Sequence, residues 1–143
     1  MTGSHKTAKT RKKASEPMRY LEKQGVIVGE RLLDYGCGKG FDAEKYVMDK
    51  YDPYYWPLLP DNNTYDFVAC SYVLNVIPEN EAEEVIESLR RVLKKGGKAY
   101  IIVRRDVKKD GITLKGTLQR NVVLDLPVFF EKSGRFCIYI MEK

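Results

Sequence analysis

Apolar and polar positions along the chain fall into segments that change period. Between residues 79 and 94, Ala82, Val85, Ile86, Leu89 and Leu93 recur at i, i+3, i+4, i+7 and i+11, one apolar stripe on a helix. Glu79, Glu81, Glu83 and Glu84 crowd its first turns, and Arg90, Arg91, Lys94 and Lys95 its last, an order that complements the helix dipole. Gly96-Gly97 is expected to end it. Shorter apolar runs at 31–35, 47–52, 65–71 and 98–103 predict four strands, and 122–130 with 135–141 predict two more, joined at Ser133-Gly134 as a hairpin. Residues 16–24 read as a short helix with Ser15 as N-cap and Pro17 in the first turn. Phe41 to Tyr46 allow one or two helical turns. Residues 53–64, with three prolines and Asp61-Asn62-Asn63, read as a loop. The order from residue 31 is strand, helix, strand, loop, strand, helix, strand, terminal hairpin. That alternation predicts an α/β fold with a mostly parallel sheet, closed by an antiparallel hairpin at one edge.

The chain has 143 residues, enough for one core, with 43% hydrophobic and 31% charged residues. No apolar run approaches the roughly 20 residues of a membrane span, and the first residues lack the apolar stretch of a secretory leader. Cys37, Cys70 and Cys137 are too few and too scattered for a disulfide framework or a zinc pattern, so a reducing cytoplasm is expected. The net charge of +5 is local. Residues 1–13 hold Lys6, Lys9, Arg11, Lys12 and Lys13 with no acid, leaving 20 Lys and Arg against 20 Asp and Glu from residue 14 onward. The expected division is a basic arm at 1–14 and a neutral body at 15–143. Such an arm, through Lys6 and Arg11 among others, suits a nucleic acid or another polyanion; a solvated tail is the alternative.

Gly36, Gly38 and Gly40 follow the first strand and precede a helix. Glycines there let the backbone turn sharply and approach a ligand at the carboxyl end of a parallel strand. A dinucleotide fingerprint would need glycine where Phe41 stands, and a P-loop would need Ser or Thr where Gly40 stands, so both are disfavoured. Asp34 closes the first strand and Asp52 the second. An acid at the latter place can accept two hydrogen bonds from a ribose diol.

Three segments together resemble the class I S-adenosylmethionine-dependent methyltransferases, in particular small bacterial and phage members. Leu32-Leu33-Asp34-Tyr35-Gly36-Cys37-Gly38-Lys39-Gly40 is similar to that family's first motif. Tyr65-Asp66-Phe67-Val68-Ala69-Cys70-Ser71-Tyr72-Val73-Leu74 is similar to its fourth-strand motif, and Leu89 to Gly97 to the helix and turn before its fifth strand. The resemblance covers residues 30–105 and implies a reduced Rossmann-like methyltransferase fold using S-adenosylmethionine. It places Tyr35, Gly36, Gly38 and Gly40 along the cofactor's amino-acid portion, with Asp34 organising the loop and approaching the amine through water. It places Asp52 on the ribose hydroxyls, Pro53 and Tyr54 beside the adenine, and Ser71 and Tyr72 near the methionine and sulfonium. Simpler alternatives are a purely loop-organising Asp34 and a strand-terminating Asp52.

The chain also departs from the family plan. Only 12 residues separate Asp52 from the strand at Tyr65, too few for the usual helix, third strand and helix. The third-strand acid that reads the adenine amine has no clear counterpart; Asp61, Asn62 or Asn63 could substitute or merely cap the loop. The shortened region leaves the adenine side open or covered by the second copy of a homodimer. Asp52-Pro53-Tyr54-Tyr55 resembles the Asp-Pro-Pro-Tyr box of DNA amino-methyltransferases, but it follows the wrong strand. No Pro-Cys pair is present for thiolate chemistry on cytosine, and Cys70 suits strand filling. His5, the single histidine, lies in the arm, as a base or as an exposed residue. Arg104-Arg105-Asp106 follows the 98–103 strand on the ligand side. There Arg104 and Arg105 could clamp an anionic acceptor and Asp106 could act as a base, or the three could form a surface ion-pair cluster. These cations favour a nucleic-acid or other anionic acceptor. A small-molecule or protein acceptor with the arm as a lid, and a non-catalytic cofactor-binding module, are the alternatives.

Overall fold

Four of the apolar runs become the parallel part of one sheet. The computed structural model describes residues 13–143. Its elements are α1 (Glu16–Lys23), β1 (Leu32–Tyr35), α2 (Phe41–Lys45), β2 (Asp49–Tyr51), β3 (Tyr65–Ser71), a 3-10 turn at Leu74–Val76, α3 (Glu79–Val92), β4 (Leu93–Arg104), β5 (Gly111–Ile112), β6 (Leu118–Gln119), β7 (Val128–Lys132) and β8 (Phe136–Glu142). The sheet order is β2-β1-β3-β4-β8-β7, with β5 and β6 as a separate hairpin. The first four strands are mutually parallel, and β8 runs antiparallel between β4 and β7. The expected α/β class and closing antiparallel hairpin are therefore present.

Side chains on strands alternate between faces, and the two cores follow from that alternation. Val68 and Cys70 of β3, Ala99, Ile101 and Val103 of β4, and Cys137, Tyr139 and Met141 of β8 pack with Ala82, Leu89 and Val92 of α3. Their neighbours Phe67, Ala69, Tyr100, Ile102, Phe136 and Ile138 pack with Met18 and Leu21 of α1 and Ala43 of α2. One helix covers one face and two short helices the other. β3 is buried on both faces, so it reads as a continuous apolar run rather than an alternating one. No helix among the described residues is long and apolar enough to cross a membrane.

Several element expectations shift. The 79–94 helix stops at Val92, because Leu93 is already extended and pairs with Tyr65. Residues between Leu93 and Lys98 then bulge out before pairing resumes at Phe67. The 47–52 strand shortens to three residues because Val47 takes a positive φ of 56° in the turn after α2. Ser15 does not cap α1 with its side chain; its amide and hydroxyl instead bind the Asp42 carboxylate at 3.2 and 3.1 Å, tying α1 to α2. The 122–130 strand survives only from Val128. The preceding stretch ends in Pro127, which has no N–H to donate to a ladder, and buries Val122 while exposing Val123. The β5–β6 hairpin was not foreseen.

The bulge carries a prediction. A Cβ on Gly97 would lie 2.5 Å from the Tyr65 carbonyl oxygen and 2.9 Å from that of Lys94, both backbone atoms that cannot swing aside. Gly97→Ala is expected to destabilise the fold by roughly 2–4 kcal/mol in a denaturant titration.

Candidate active site

The carboxyl ends of β1, β3 and β4 open into a cavity of about 1150 Å³. Its floor is the turn after β1. Gly36 sits at φ 85°, and a Cβ there would lie 2.3 Å from a Val73 methyl, so the turn fits against the β3 loop only as glycine. The amides of Gly36 and Cys37 both donate to the Tyr51 carbonyl, at 2.7 and 3.0 Å, which fixes the turn to the end of β2. Gly38 and Gly40 also take positive φ, and with Tyr35 they line the cavity.

Asp34 points into this cavity from β1 and is 5% exposed. No donor among the described residues reaches its carboxylate. Burial, with Asp42 and Asp52 nearby, pushes its pKa up to about 8. A carboxyl that ionises near 4 when unfolded and near 8 when folded must take up a proton on folding between those values. Its contribution to stability is therefore greatest below about pH 4 and declines as pH rises to about 8, by as much as roughly 1.4 kcal/mol per pH unit. Denaturation midpoints measured from pH 5 to 8 should fall accordingly, and the Asp34→Asn variant should lose that slope.

Asp52 follows β2 directly, and its oxygens are already engaged. Oδ2 accepts from the Gly38 amide at 3.0 Å, and Oδ1 from the amides of Tyr54 and Tyr55 at 2.9 and 3.1 Å. The carboxylate thus links the glycine turn to the 52–56 loop, which closes through paired backbone bonds between Asp52 and Trp56. Oδ2 accepts one hydrogen bond among the described residues, and a carboxylate oxygen can accept a second. Pro53 lines the cavity. Tyr54 is not among its lining residues: the loop turns its ring outward, 60% exposed and edge-on to Tyr55.

Ser71 ends β3 inside the cavity, and its hydroxyl is buried without a hydrogen-bond partner. Tyr72 next to it holds a φ of 61°, rare for an aromatic residue, with its amide tied to the Ile102 carbonyl at 2.8 Å. Cys37 also faces the cavity, but burial pushes its thiol up to about 12, so it is no thiolate at neutral pH.

Arg104 and Asp106 reach the rim as a bidentate pair, at 2.7 and 2.9 Å. The guanidinium holds the Asp106 carboxyl below its usual range, which removes it as a base. Arg105 is not at the cavity. Its guanidinium donates to Glu131, the Val122 carbonyl and the Tyr139 hydroxyl at 3.1, 2.7 and 2.7 Å, so it braces the sheet instead of clamping an anion. Asn62 accepts from Arg91 and Asn63 from Lys143, near the end of α3; neither they nor Asp61 lines the cavity as an adenine reader. Lys6, Arg11 and His5 lie outside the described residues.

Two residues escaped the sequence reading. Asn75, fully buried, accepts from the Arg104 amide at 2.8 Å and donates to the Arg120 carbonyl at 2.9 Å, joining the loops that follow β3 and β4. Gln119, on β6, lines the cavity with a buried side-chain oxygen that has no partner. An asparagine amid Val-Leu-Asn-Val-Ile was a legible signal for the first. Nothing local marked the second.

Comparison with known proteins agrees with this architecture. Residues 5–140 match a family model described as a methyltransferase domain. None of the curated proteins compared with the chain matches it. Among solved structures, the 1,6-didemethyltoxoflavin-N1-methyltransferase of Burkholderia thailandensis, described with bound 1,6-didemethyltoxoflavin and S-adenosylhomocysteine, is similar at a TM-score of 0.68 and 13% identity, covering 90% of this chain and 77% of that one. A putative type 11 methyltransferase from Sulfolobus solfataricus aligns at 0.57 and 18% identity, covering 92% and 94%. An S-adenosylmethionine-dependent methyltransferase from Mesorhizobium loti aligns at 0.61 and 9% identity, covering 88% and 98%. With the family model spanning nearly its whole length, the chain belongs to the methyltransferase domain family, and its fold is the Rossmann-like one of the class I S-adenosylmethionine-dependent enzymes.

Proposed function

We propose that this protein transfers the methyl group of S-adenosylmethionine to a small, uncharged acceptor in the cavity above the glycine turn. The observation that carries the cofactor assignment is Asp34, a buried carboxyl that accepts from no donor among the described residues, in a cavity whose floor admits no Cβ at Gly36. A cationic amine beside Asp34 would supply the missing partner. The Ser71 hydroxyl offers a second unsatisfied group, and the free lone pair of Asp52 offers one acceptor to a ribose hydroxyl. The residues present fit the cofactor.

When bound, the sulfonium carries its own activation for in-line displacement, so the protein's part is to orient and to exclude water. The glycine turn, Tyr72 and Val73 hold the walls, and Asn75 locks the loops beside them. Asp106 is committed to Arg104, so no free base of ordinary pKa is supplied from that pair.

The acceptor assignment rests on charge. Lys13, Arg19, Lys39, Arg104 and Arg135 line the cavity against Glu16, Asp42, Asp52, Glu81, Glu84 and Asp106, with Arg104 and Arg135 paired to Asp106 and Glu16 and Asp34 protonated in the free protein. The lining therefore carries no excess of positive charge to draw a phosphate. The nucleic-acid reading is favoured by one feature, the five cations of residues 1–13. Fluorescence anisotropy with labelled DNA and RNA separates the two readings: salt-sensitive binding that disappears on deleting residues 1–13 supports a nucleic-acid acceptor, and no such binding supports a small one. Calorimetric titration with S-adenosylhomocysteine tests the shared premise, and failure to bind at one site per chain would sink it. Trp56 and Leu58 lie exposed in the loop that follows β2, the sheet's edge strand, where the second copy of a homodimer would cover them; sedimentation equilibrium tests that association.

A further inference from the structure

We infer that Arg19 is a cofactor-binding residue, whose guanidinium takes the carboxylate of the cofactor's amino-acid end while Asp34 takes its amine. The inference rests on the S-adenosylmethionine reading above and assigns the second charge of that amino acid.

Arg19 stands in the first turn of α1, where its amide donates to the Ser15 carbonyl at 3.0 Å. It lines the cavity beside Ala14 and Ser15. One bond orients its side chain: Nε donates to the Ala14 carbonyl at 3.1 Å. Its two terminal nitrogens meet no partner among the described residues. The neighbouring acids are already committed. Both oxygens of Asp42 accept from Ser15, at 3.2 and 3.1 Å, and the two oxygens of Glu16 are held by Lys132 and Arg135. The same Asp42 acts electrostatically on the Asp34 carboxyl. Arg19 and Asp34 therefore line one cavity next to a common junction of Ala14, Ser15 and Asp42.

An α-amino acid carries its ammonium and its carboxylate on one carbon. A site built from acids alone attracts the first and repels the second, and a cation within reach removes that conflict. Five cations line the cavity. Arg104 and Arg135 are matched by Asp106 and Glu16. Lys13 and Lys39 offer point charges, whereas the outer edge of Arg19 offers two parallel N–H groups, the fork that a carboxylate accepts in bidentate fashion. The bond from Nε to Ala14 fixes the plane of that fork before a ligand arrives, so less side-chain freedom is lost on binding. Arg19 is solvent-exposed, which places its contribution between that of an exposed ion pair and that of a buried charge-assisted bond, about tenfold in affinity.

The test is a set of calorimetric titrations on the full chain with two ligands, S-adenosylhomocysteine and its decarboxylated analogue, the 5′-(3-aminopropylthio) adenosine that keeps the amine and lacks the carboxylate. The wild type should bind S-adenosylhomocysteine about tenfold more tightly than the analogue. In Arg19→Gln that difference should vanish, through a loss of about tenfold for S-adenosylhomocysteine with the analogue's affinity unchanged. Arg19→Lys, which keeps the charge and loses the fork, should fall between the two. Thermal melts of ligand-free Arg19→Gln should stay close to the wild type, since one part-buried bond is lost. The inference is overturned if the wild type does not distinguish the two ligands, if the difference survives in Arg19→Gln, or if that variant weakens both ligands alike, which would make Arg19 a structural residue of α1. Failure of S-adenosylhomocysteine to bind the wild type would instead remove the proposed function on which the inference stands.

Discussion

Replacing Asp34 with asparagine is expected to move stability and binding in opposite directions. In the ligand-free protein Asp34 is a buried carboxyl that no donor among the described residues meets, and burial together with Asp42 and Asp52 raises its pKa to about 8. At pH 8 the unfolded chain ionises freely while the folded chain must either hold the proton or bury a charge. Asparagine keeps the shape and removes the titration. The variant should therefore be more stable at pH 8 by roughly 2–4 kcal/mol, with the gain shrinking toward pH 5. Its affinity for S-adenosylhomocysteine should fall by about 100-fold or more, because a buried carboxylate meeting an ammonium is worth several kcal/mol and a neutral amide is not. Denaturant titrations and calorimetry on the same preparations read both effects. A purely loop-organising Asp34 would give the reverse pattern, with stability lost and affinity little changed.

The second large effect is at Asp52. Alanine there removes the acceptor for three backbone amides, those of Gly38, Tyr54 and Tyr55. Part of that loss is met by water, since the 52–56 loop is largely exposed, so the stability cost should be modest, about 1–2 kcal/mol. Binding should suffer far more, again by about 100-fold, because the glycine turn loses its tie to the end of β2 and the ribose loses an acceptor. The two contributions are separable. S-adenosylhomocysteine and its 2′- or 3′-deoxy analogues should differ by about tenfold in the wild type, and that difference should collapse in Asp52→Asn. If no deoxy analogue discriminates in the wild type, Asp52 serves the loop alone. Because Asp34 and Asp52 interact electrostatically, their effects should not add in the double variant.

Much of this fold and of the glycine turn is legible in the sequence, for physical reasons tied to particular residues. β3 could be read from Phe67-Val68-Ala69-Cys70 because a strand buried on both faces has no polar interruption. α3 could be read because Ala82, Val85, Ile86 and Leu89 hold the helical period against one sheet face, while Leu93, the last of that stripe, already belongs to β4. The turn of Gly36, Gly38 and Gly40 was legible because only glycine takes those φ values without strain, and Asp34 and Asp52 because acids flank that turn.

What was missed depends on partners distant in sequence. Arg105 looked like an anion clamp, but Glu131 and Tyr139 consume its guanidinium from 26 and 34 residues away. The alternation at Val122 to Leu126 looked like a strand, yet it is an irregular segment that covers the core of α3 and ends at Pro127. β5 and β6 have two residues each, too few to show any period, so Gln119 carried no local signal.

If Asp34 is the partner of the cofactor's amine, the number of protons released on binding reports it most directly. Wild-type protein is titrated with S-adenosylhomocysteine at pH 7 in two buffers of different ionisation enthalpy, alongside Asp34→Asn. A carboxyl protonated in the free protein and ionised against the bound amine should release close to one proton per site, and the variant should release about none. Tight binding without proton release, unchanged in Asp34→Asn, would contradict the assignment.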